Sequence, residues 1–390
     1  MTSAPHPDTA PVEPAPPNVF TLCAGAPAFV AALRAELPAC RTSLLAQFMT
    51  FEGDASGDEF ADFLIDRARA SVDVRLLLDH YSDVIANDIM PVRVHRRGEL
   101  HDERSRTRAL LTRLGANGIE IKRTAPPGRL WRHFAYRNHK KMVVLDDRVA
   151  FVGGINISDH NYAWHDFMVK IAGPLAADVA RDFRSTWAGS TVAFGEPSPN
   201  ADFVLNQGPG RPSISNELMR MIEGARHSIV IESPSLLGDA IERALLDAAR
   251  RGVRVTLVVP ARHNRWIFRV WVRKTIARLS HPNIEIHGYL GSDGMTHAKL
   301  TIVDERTVSF GSFNLFDLEG LTQKDLNVFT RDRAIVRGLG ELVAGDIAAS
   351  CPVPRPRTTF GRFSYVLLRS VVARRTRRLL RNPAWRSEYC

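Results

Sequence analysis

Apolar residues along the chain alternate between short continuous runs, typical of buried strands, and runs with helical spacing. In the first half this pattern predicts strand, helix and then four strands, in the order 43–51, 58–70, 72–78, 119–123, 142–145 and 149–152. The turn Asp146-Asp147-Arg148 separates the last two strands, which is typical of a strand–turn–strand unit.

The second half repeats this order. It predicts a strand, a helix and four strands at 228–232, 239–250, 253–259, 283–287, 300–303 and 308–310. The segments LIDRARASVDVRLLLD and LLDAARRGVRVTLVVP overlay directly, so the chain is interpreted as two copies of one α/β unit. Helices that alternate with apolar strands predict mixed, mainly parallel sheets that are covered on both faces.

Composition divides the chain further. A disordered Pro/Ala-rich N-terminus is predicted at residues 1–18. It is followed by a first unit (19–194), a linker (195–212), a second unit (213–352) and a basic amphipathic tail (353–390). Hydrophobic residues make up 45% of the chain, but no apolar run approaches the roughly 18 residues of a membrane span. No signal-peptide pattern is visible, and the four cysteines are scattered, so we expect a cytoplasmic protein.

Each half contains the pattern His-x-Lys-x4-Asp. The two sets are His139, Lys141 and Asp146, and His297, Lys299 and Asp304. Because the chain has only seven lysines, two such matches at corresponding points of a repeat are a strong signal. In a strand, residues i and i+2 share a face, so each half is expected to present an imidazole beside an ammonium group.

The surroundings of the motif repeat as well. Gly-Gly-Ile-Asn156 follows the first motif and Gly-Ser-Phe-Asn314 follows the second. An aspartate comes 27 residues after the first histidine and 28 after the second, at Asp166 and Asp325. The small residues before each asparagine are expected to allow a ligand to approach the backbone closely.

These stretches resemble the phospholipase D superfamily and, within it, bacterial cardiolipin synthases. The resemblance covers about residues 43–350, with RNHKKMVVLDDRVAFVGGINISD and MTHAKLTIVDERTVSFGSFN as its main support. It implies that the two halves pack about a pseudo-twofold axis and that both motifs meet in one active site. The N-terminal transmembrane pair of many cardiolipin synthases is missing here, which favours a shorter, peripheral type.

The roles of the site residues follow from phosphodiester chemistry. One imidazole attacks phosphorus to form a phosphohistidine, and the other protonates the leaving oxygen and later deprotonates the incoming alcohol. The resemblance favours His139 as the nucleophile and His297 as the acid, although the near-symmetry of the halves leaves this order open. Lys141 and Lys299 are expected to bind the phosphoryl oxygens. The amides of Asn156 and Asn314 are expected to support the phosphate, and Asp166 and Asp325 to orient the histidines.

Three further expectations complete the site. Asp146 and Asp304 are counted with the catalytic motif, but their distance along the strand predicts a structural or electrostatic role. The scheme needs no metal or cofactor, because outside the motifs no His, Cys and acidic residues have ligand spacing. His160 and His165 are interpreted as ordinary polar residues.

Charge bears on the partner. The net charge is +10, of which residues 353–390 carry +9, with ten arginines and one acidic residue. A local basic tail suits an anionic lipid, a nucleic acid or an acidic partner. Because the body is nearly neutral, no specific nucleic acid is expected. A second candidate lipid contact is the segment RHNRWIFRVWVRKTIARL at residues 262–279, which mixes aromatic and basic residues.

We therefore expect a phosphatidyltransferase that acts on an anionic, phosphatidylglycerol-like phospholipid. It would be peripheral on the inner face of the cell membrane. A phospholipid hydrolase, a nucleic-acid phosphodiesterase and a lipid-binding protein without turnover remain as alternatives. The sequence does not specify the acceptor or the oligomeric state.

Overall fold

A computed structural model describes residues 17–85, 98–194, 201–236, 238–262, 275–291, 295–315, 319–353, 362–382 and 385. The Pro/Ala-rich residues 1–16 lie outside these ranges, as do residues 263–274 of the aromatic and basic segment. Within the described ranges, the chain forms two α/β units in tandem.

The first unit contributes eight strands: β1 (Val19–Ala24), β2 (Ser43–Phe48), β3 (Asp73–Asp79), β4 (Glu120–Thr124), β5 (Arg137–Asn138), β6 (Met142–Leu145), β7 (Val149–Gly153) and β8 (Phe167–Ala172). Seven of them form one sheet in the order β1-β8-β7-β6-β2-β3-β4. The short β5 instead pairs with β15 in the sheet of the second unit, so backbone hydrogen bonds join the two units.

The second unit contributes β9 (Phe203–Gln207), β10 (Ser228–Glu232), β11 (Arg254–Pro260), β12 (Ile284–Tyr289), β13 (Leu300–Val303), β14 (Thr307–Gly311), β15 (Gln323–Thr330) and β16 (Ser350–Pro352). Their order is β16-β12-β11-β10-β13-β14-β15-β5, with β9 also paired to β15. Read in reverse from β9, this is the order of the first sheet, with β5 and β16 as additional strands, so the duplication predicted from the sequence is confirmed. Because β9 completes this sheet, part of the expected linker 195–212 belongs to the second unit.

Both sheets are mixed, as predicted, but the expectation that they are mainly parallel is wrong. Among the described strands of the first sheet, only β2–β3 and β3–β4 pair in parallel, against four antiparallel pairs. The second sheet has three parallel and five antiparallel pairs. The reason is local, since strands joined by tight turns, such as β6–β7 and β13–β14, must run antiparallel.

The helices are α1 (Gly25–Glu36), α2 (Ala55–Arg69), α3 (Tyr81–Val84), α4 (Glu99–Ala116), α5 (Asp159–Tyr162), α6 (Pro174–Trp187), α7 (Ser213–Gly224), α8 (Asp239–Arg250), α9 (Glu319–Thr322), α10 (Arg333–Ala348) and α11 (Arg362–Leu379). The predicted bounds of α8 are confirmed. Helix α2 begins three residues earlier than predicted, because the Asp54 carboxylate caps it by accepting the Gly57 N–H at 3.0 Å.

The two sheets share a central hydrophobic core. It combines residues of β6 to β8 with residues of β13 to β15, and α6 and α10 pack into it with their apolar faces. Phe167 and Phe310, one from each unit, meet edge to face with ring centroids 6.4 Å apart. Each unit also has an outer core beneath its other helices. The shared core fixes the position of one unit against the other, and with it the geometry between the two motifs.

The basic tail forms α11, whose C-terminal end packs on the body. The Thr376 hydroxyl lies 2.9 Å from the Tyr136 hydroxyl, and both residues are buried. Beyond the helix, Trp385 is 3% exposed and its ring meets that of Tyr136 at 5.0 Å. The described part of the tail is therefore helical, as expected, but it is anchored to the protein rather than free in solvent.

Candidate active site

The two motifs lie at the junction of the units, each just before a strand of its own sheet. His139 to Lys141 precede β6, and the corresponding residues from His297 precede β13. The sequence analysis placed them within strands, but these segments bond to the other unit. The His139 N–H donates to the Lys324 carbonyl at 2.8 Å, and the His297 N–H donates to the His165 carbonyl at 2.7 Å. Each motif is thus held by the opposite half of the molecule.

The expected histidine–aspartate pairs exist, and both cross the unit boundary. His139 Nδ1 lies 3.0 Å from Oδ1 of Asp325, and His297 Nδ1 lies 2.7 Å from Oδ2 of Asp166. His139 Nδ1 also lies 3.0 Å from the Ser312 carbonyl. Because these partners are acceptors, each Nδ1 carries a proton and each Nε2 is the nitrogen left for chemistry. A single unit therefore lacks the aspartate that orients its own histidine.

Burial makes the His139 imidazole a weak base. Its pKa is lowered to about 4, mainly by removal from water and then by the neighbouring Lys141 ammonium, while Asp325 opposes the shift. At neutral pH the ring is therefore uncharged and its Nε2 lone pair is available. An uncharged imidazole held by a carboxylate is the state that a nucleophile requires.

The pKa of the Asp166 carboxyl is raised, although most paired carboxyl groups have a lowered pKa. Burial raises its pKa to about 6, although Lys299, the Phe167 amide and Lys141 favour the ionised form. It is ionised above that pH, where it stabilises a positive charge on His297. Ionisation of the buried Asp166 therefore favours the protonated, positively charged form of His297.

Lys141 and Lys299 occupy equivalent positions. Both side chains are about 1% exposed, and each ammonium donates to the carbonyl of the histidine two residues before it. Both influence the Asp166 carboxyl and the His139 ring, so positive charge from the two units converges on the same space. Such charge suits the nonbridging oxygens of a phosphodiester. Lys140, by contrast, pairs with Asp182 at 2.7 Å and supports the fold.

The two motif aspartates lie away from this space. The Asp146 carboxylate accepts the backbone N–H groups of residues 41–43 at 2.7–2.9 Å, and Asp304 accepts those of residues 226–228 at 2.7–3.2 Å. These hydrogen bonds hold the pKa of each carboxyl below its usual range. The charge of Asp146 and Asp304 fixes the loops before β2 and β10, in line with the structural role that was expected, and a catalytic contribution from them stays a prediction.

The small residues after β7 and β14 serve packing. A Cβ at Gly154 would lie 2.3 Å from the Asp166 carboxylate, and a Cβ at Gly311, whose φ is 155°, would lie 2.2 Å from the Leu326 carbonyl. At the position equivalent to Gly154, the second unit has Ser312, whose hydroxyl donates to Asp325 at 2.8 Å. Gly154 and Ser312 thus allow the orienting aspartates to approach closely, and the expected approach of a ligand to this backbone stays a prediction. The two histidines also differ, since among the described residues a serine supports the aspartate of His139, whereas the equivalent position beside the aspartate of His297 is Gly154.

The asparagines take part in loop structure. The Asn156 oxygen accepts the Thr50 N–H at 3.1 Å, and its amide nitrogen donates to Asn161 at 3.0 Å. Asn314 is buried at the equivalent point of the second unit. Asn156 is therefore engaged in shaping the loops that flank the site. The expected contact of these amides with phosphate stays a prediction.

Sequence reasoning missed two features beside His297. The Trp164 ring lies 4.9 Å from the His297 ring, centroid to centroid. Behind the site, His165 Nε2 is 2.9 Å from the Asp346 carboxylate, which adjoins the buried Glu232. Burial and Asp346 raise the pKa of Glu232 well above its ordinary value. The partners of His165 were not predicted, and the interpretation of His165 as an ordinary polar residue stays a prediction.

Among the described residues, His165, Glu232 and Asp346 are the one group with ligand atoms close enough for a metal ion, all within 4.8 Å of one another. They come from three distant parts of the chain, so no sequence spacing indicates them. A proton on Glu232 would also remove the repulsion between Glu232 and Asp346, and no cation would then be needed between them.

Two tandem α/β units that bring paired His-x-Lys motifs to one interface define a phospholipase D-like enzyme. A family model described as "Cardiolipin synthase, PLD-like domain" matches residues 33–187 and 218–344, once in each unit. The chain belongs to this family.

The curated relatives are consistent with that membership. Cardiolipin synthase B of Escherichia coli K12 is 26% identical over 332 residues, covering 79% of this chain and 75% of the relative. Cardiolipin synthase A of Pseudomonas entomophila is 26% identical over 334 residues, covering 81% and 65%. Among solved structures, phosphatidylserine synthase of Haemophilus influenzae Rd KW20 aligns with a TM-score of 0.66 at 12% identity, covering 94% of each chain. That likeness confirms the fold.

Proposed function

We propose that the chain is a phosphatidyltransferase of cardiolipin-synthase type. The observation that carries the proposal is the reciprocal pairing of His139 with Asp325 and of His297 with Asp166 across the two units. Membership of the cardiolipin synthase family and the names of the curated relatives support a phosphatidyl group as the transferred unit. The donor is an anionic, phosphatidylglycerol-like lipid, and the acceptor is the hydroxyl of a second lipid or a small alcohol.

In the first step, Nε2 of neutral His139 attacks the lipid phosphorus. An Nε2–P bond forms, the P–O bond to the headgroup alcohol breaks, and the leaving oxygen takes a proton from Nε2 of His297. The ionised Asp166 stabilises the charged His297 before this transfer, and Lys141 and Lys299 stabilise the phosphoryl oxygens. The low pKa of His139 supports its assignment as the nucleophile.

In the second step, the acceptor hydroxyl gives its proton to His297 and attacks the phosphohistidine. A new P–O bond forms as the Nε2–P bond breaks, so His139 returns to its neutral state. Water in place of the alcohol gives phosphatidic acid, and the hydrolase alternative thus differs only in the acceptor.

Peripheral attachment to the inner face of the cell membrane is part of this proposal. In the described parts of the chain, no helix has the length and apolarity needed for a membrane span. The basic helix α11 supports attachment by its charge. Together with a lipid substrate, these features suit an enzyme that works from the bilayer surface.

The test is separation of lipid products by thin-layer chromatography. Phosphatidylglycerol is supplied in detergent micelles, alone and with added glycerol, to the wild type and to His139→Ala. We expect cardiolipin from phosphatidylglycerol alone, less of it when glycerol competes, and no product from the variant. Phosphatidic acid as the main product in both conditions would instead support the hydrolase, and absence of any lipid product would reject the proposal.

A further inference from the structure

Two of the most exposed apolar side chains in the described part of the chain lie next to each other. Leu130 is 75% exposed and Trp131 is 46% exposed, at the tip of a short 3₁₀ turn. Arg129 and Arg132 flank them, and both are exposed. Exposure of a leucine and a tryptophan side by side is unfavourable in water, so a contact that covers them is expected.

The fold holds this turn in place. The Trp131 ring packs on Phe134 at 5.3 Å, and Phe134 in turn stacks on Tyr81 at 6.2 Å. Leu130 and Trp131 have φ values of 54° and 59°, a conformation that bulky residues adopt only when their surroundings impose it. The turn is therefore a fixed projection and not a loose loop.

Helix α11 lies against the same turn. The Arg375 guanidinium donates to the Arg132 carbonyl, and Thr376 is bonded to Tyr136. Val371, one turn before Arg375 on the same helix face, is 54% exposed. Exposed apolar side chains thus occur on both of the segments that these hydrogen bonds join.

The exposed charged residues of these two segments are all arginines. Five arginines of the C-terminal segment are exposed, namely Arg374, Arg375, Arg377, Arg378 and Arg381. The sequence has no acidic residue between positions 362 and 382. With Arg129 and Arg132, the two segments that meet at the Arg375–Arg132 contact carry seven exposed arginines. We name residues 129–132 together with the exposed residues of 371–381 the tip surface.

We propose that the tip surface docks the enzyme on an anionic lipid bilayer, with Leu130 and Trp131 inserted among the headgroups. This inference rests on the proposed function, because it places the membrane on which the lipid substrate lies. Trp131 and Leu130 suit the apolar and interfacial region of a bilayer, and the exposed arginines of the same two segments suit anionic headgroups. Along the chain, Tyr136 and β5 connect this turn to His139, so the docked turn and the first motif belong to one continuous segment.

The experiment is co-sedimentation of the full chain with vesicles of equal phosphatidylglycerol and phosphatidylcholine, and with vesicles of phosphatidylcholine alone. Leu130→Ser/Trp131→Ser removes the apolar tip, and Arg374→Gln/Arg377→Gln/Arg378→Gln removes three charges. Val19→Ser is the matched control, because Val19 is 58% exposed on β1, at the opposite edge of the sheet from the strand before the turn. Six strand spacings separate these edges, about 29 Å.

We expect wild type and Val19→Ser to bind anionic vesicles equally and phosphatidylcholine weakly. Loss of three arginines should weaken binding about 100-fold, at about fivefold per charge. The apolar variant should bind at least tenfold more weakly while transfer in micelles stays near wild type, and its melting temperature should fall only slightly, through loss of the Trp131–Phe134 contact. Quenching of fluorescence by bromine-labelled lipid should be strong in wild type and much reduced in Trp131→Phe.

Unchanged vesicle binding by both tip variants would overturn the proposal. So would loss of DNA or RNA binding, measured in parallel, without loss of vesicle binding, since the tip surface would then serve a nucleic acid. Failure of the proposed function is a separate result, because it appears as absence of transfer in micelles by the wild type. Vesicle binding is measured without turnover and tests the docking surface in either case.

Discussion

The reactive nitrogen of each histidine is set by what lies behind the ring, and for both histidines that group comes from the other unit. Asp325 and Ser312 hold His139, while Asp166 and Trp164 adjoin His297. The sequence predicted the aspartates from their repeated spacing. It did not indicate the crossing, because spacing along a chain says nothing about which of two similar halves a side chain faces.

The first prediction at this scale concerns the two histidines as one catalytic unit. His139→Ala and His297→Ala should each reduce kcat by at least about 10³-fold, and the double variant should be no slower than either single one. The exposed His227 provides a matched control, and His227→Ala should keep normal activity. Product formation and melting curves are measured for all four variants. Additive losses in the double variant would contradict a shared mechanism.

The acidic limb of the pH profile is the second prediction. The pKa of Asp166 is raised to about 6, so its charged form is lost as the pH falls through that value. Because His139 stays neutral down to about pH 4, kcat/KM should rise with pH through about 6 under control of Asp166. Asp166→Asn should lower kcat/KM by about 10²–10⁴-fold and remove this limb. An unchanged limb in that variant would assign it to another group.

At the scale of elements, β2, β3, β6, β7 and their counterparts could be predicted, because buried strands consist of continuous apolar runs. Helix α4 was missed, since its 18 residues are mostly polar and only one stripe is buried. The mainly parallel pairing was wrong, although the turn at residues 146–148 was recognised and such a turn requires an antiparallel hairpin. The cluster of His165, Glu232 and Asp346 depends on how three elements pack, which no local pattern contains.

The loop-fixing aspartates give the third prediction. Asp304→Asn removes the charge that accepts three backbone N–H groups and should cost about 1–3 kcal/mol of stability. Because the pKa of Asp304 is lowered in the folded state, its contribution is present above pH 4 and is lost as the pH falls below. The stability difference from wild type should therefore shrink in acid. If Asp304→Asn has normal stability but loses turnover, Asp304 takes part in catalysis and the prediction is wrong.

The buried acidic cluster gives the fourth. The proposed mechanism draws its positive charge from the motif lysines, so transfer in micelles should survive EDTA. Glu232→Gln preserves the shape of the side chain and removes a carboxyl whose pKa is raised by burial and by Asp346, and it should keep most activity. If EDTA abolishes transfer in the wild type and Glu232→Gln binds zinc more weakly in dialysis, then the cluster is a metal site and the prediction fails.

At the scale of the whole molecule, the site exists only while the two units stay in register. Neither unit orients its own histidine, and the shared core between the sheets is what holds one motif opposite the other. Stability of that core and catalytic geometry are therefore coupled, whereas outer-core residues remote from the motifs, such as Leu245, are expected to contribute to stability alone. This coupling follows from the duplication, because two equal halves that exchange their orienting groups cannot function apart.

The last prediction tests that coupling. Phe310 is fully buried in the shared core against Phe167, and Leu245 is fully buried in the outer core of the second unit. Phe310→Ala and Leu245→Ala should each lower the free energy of unfolding by about 2–5 kcal/mol. At a temperature where both remain folded, we expect Phe310→Ala to lose most of its kcat, because the units shift by a fraction of an ångström and the near-attack geometry is lost. Leu245→Ala should keep its kcat. Denaturant unfolding and single-turnover transfer measure the two quantities, and equal kcat in the two variants would show that the interface tolerates repacking without loss of the site.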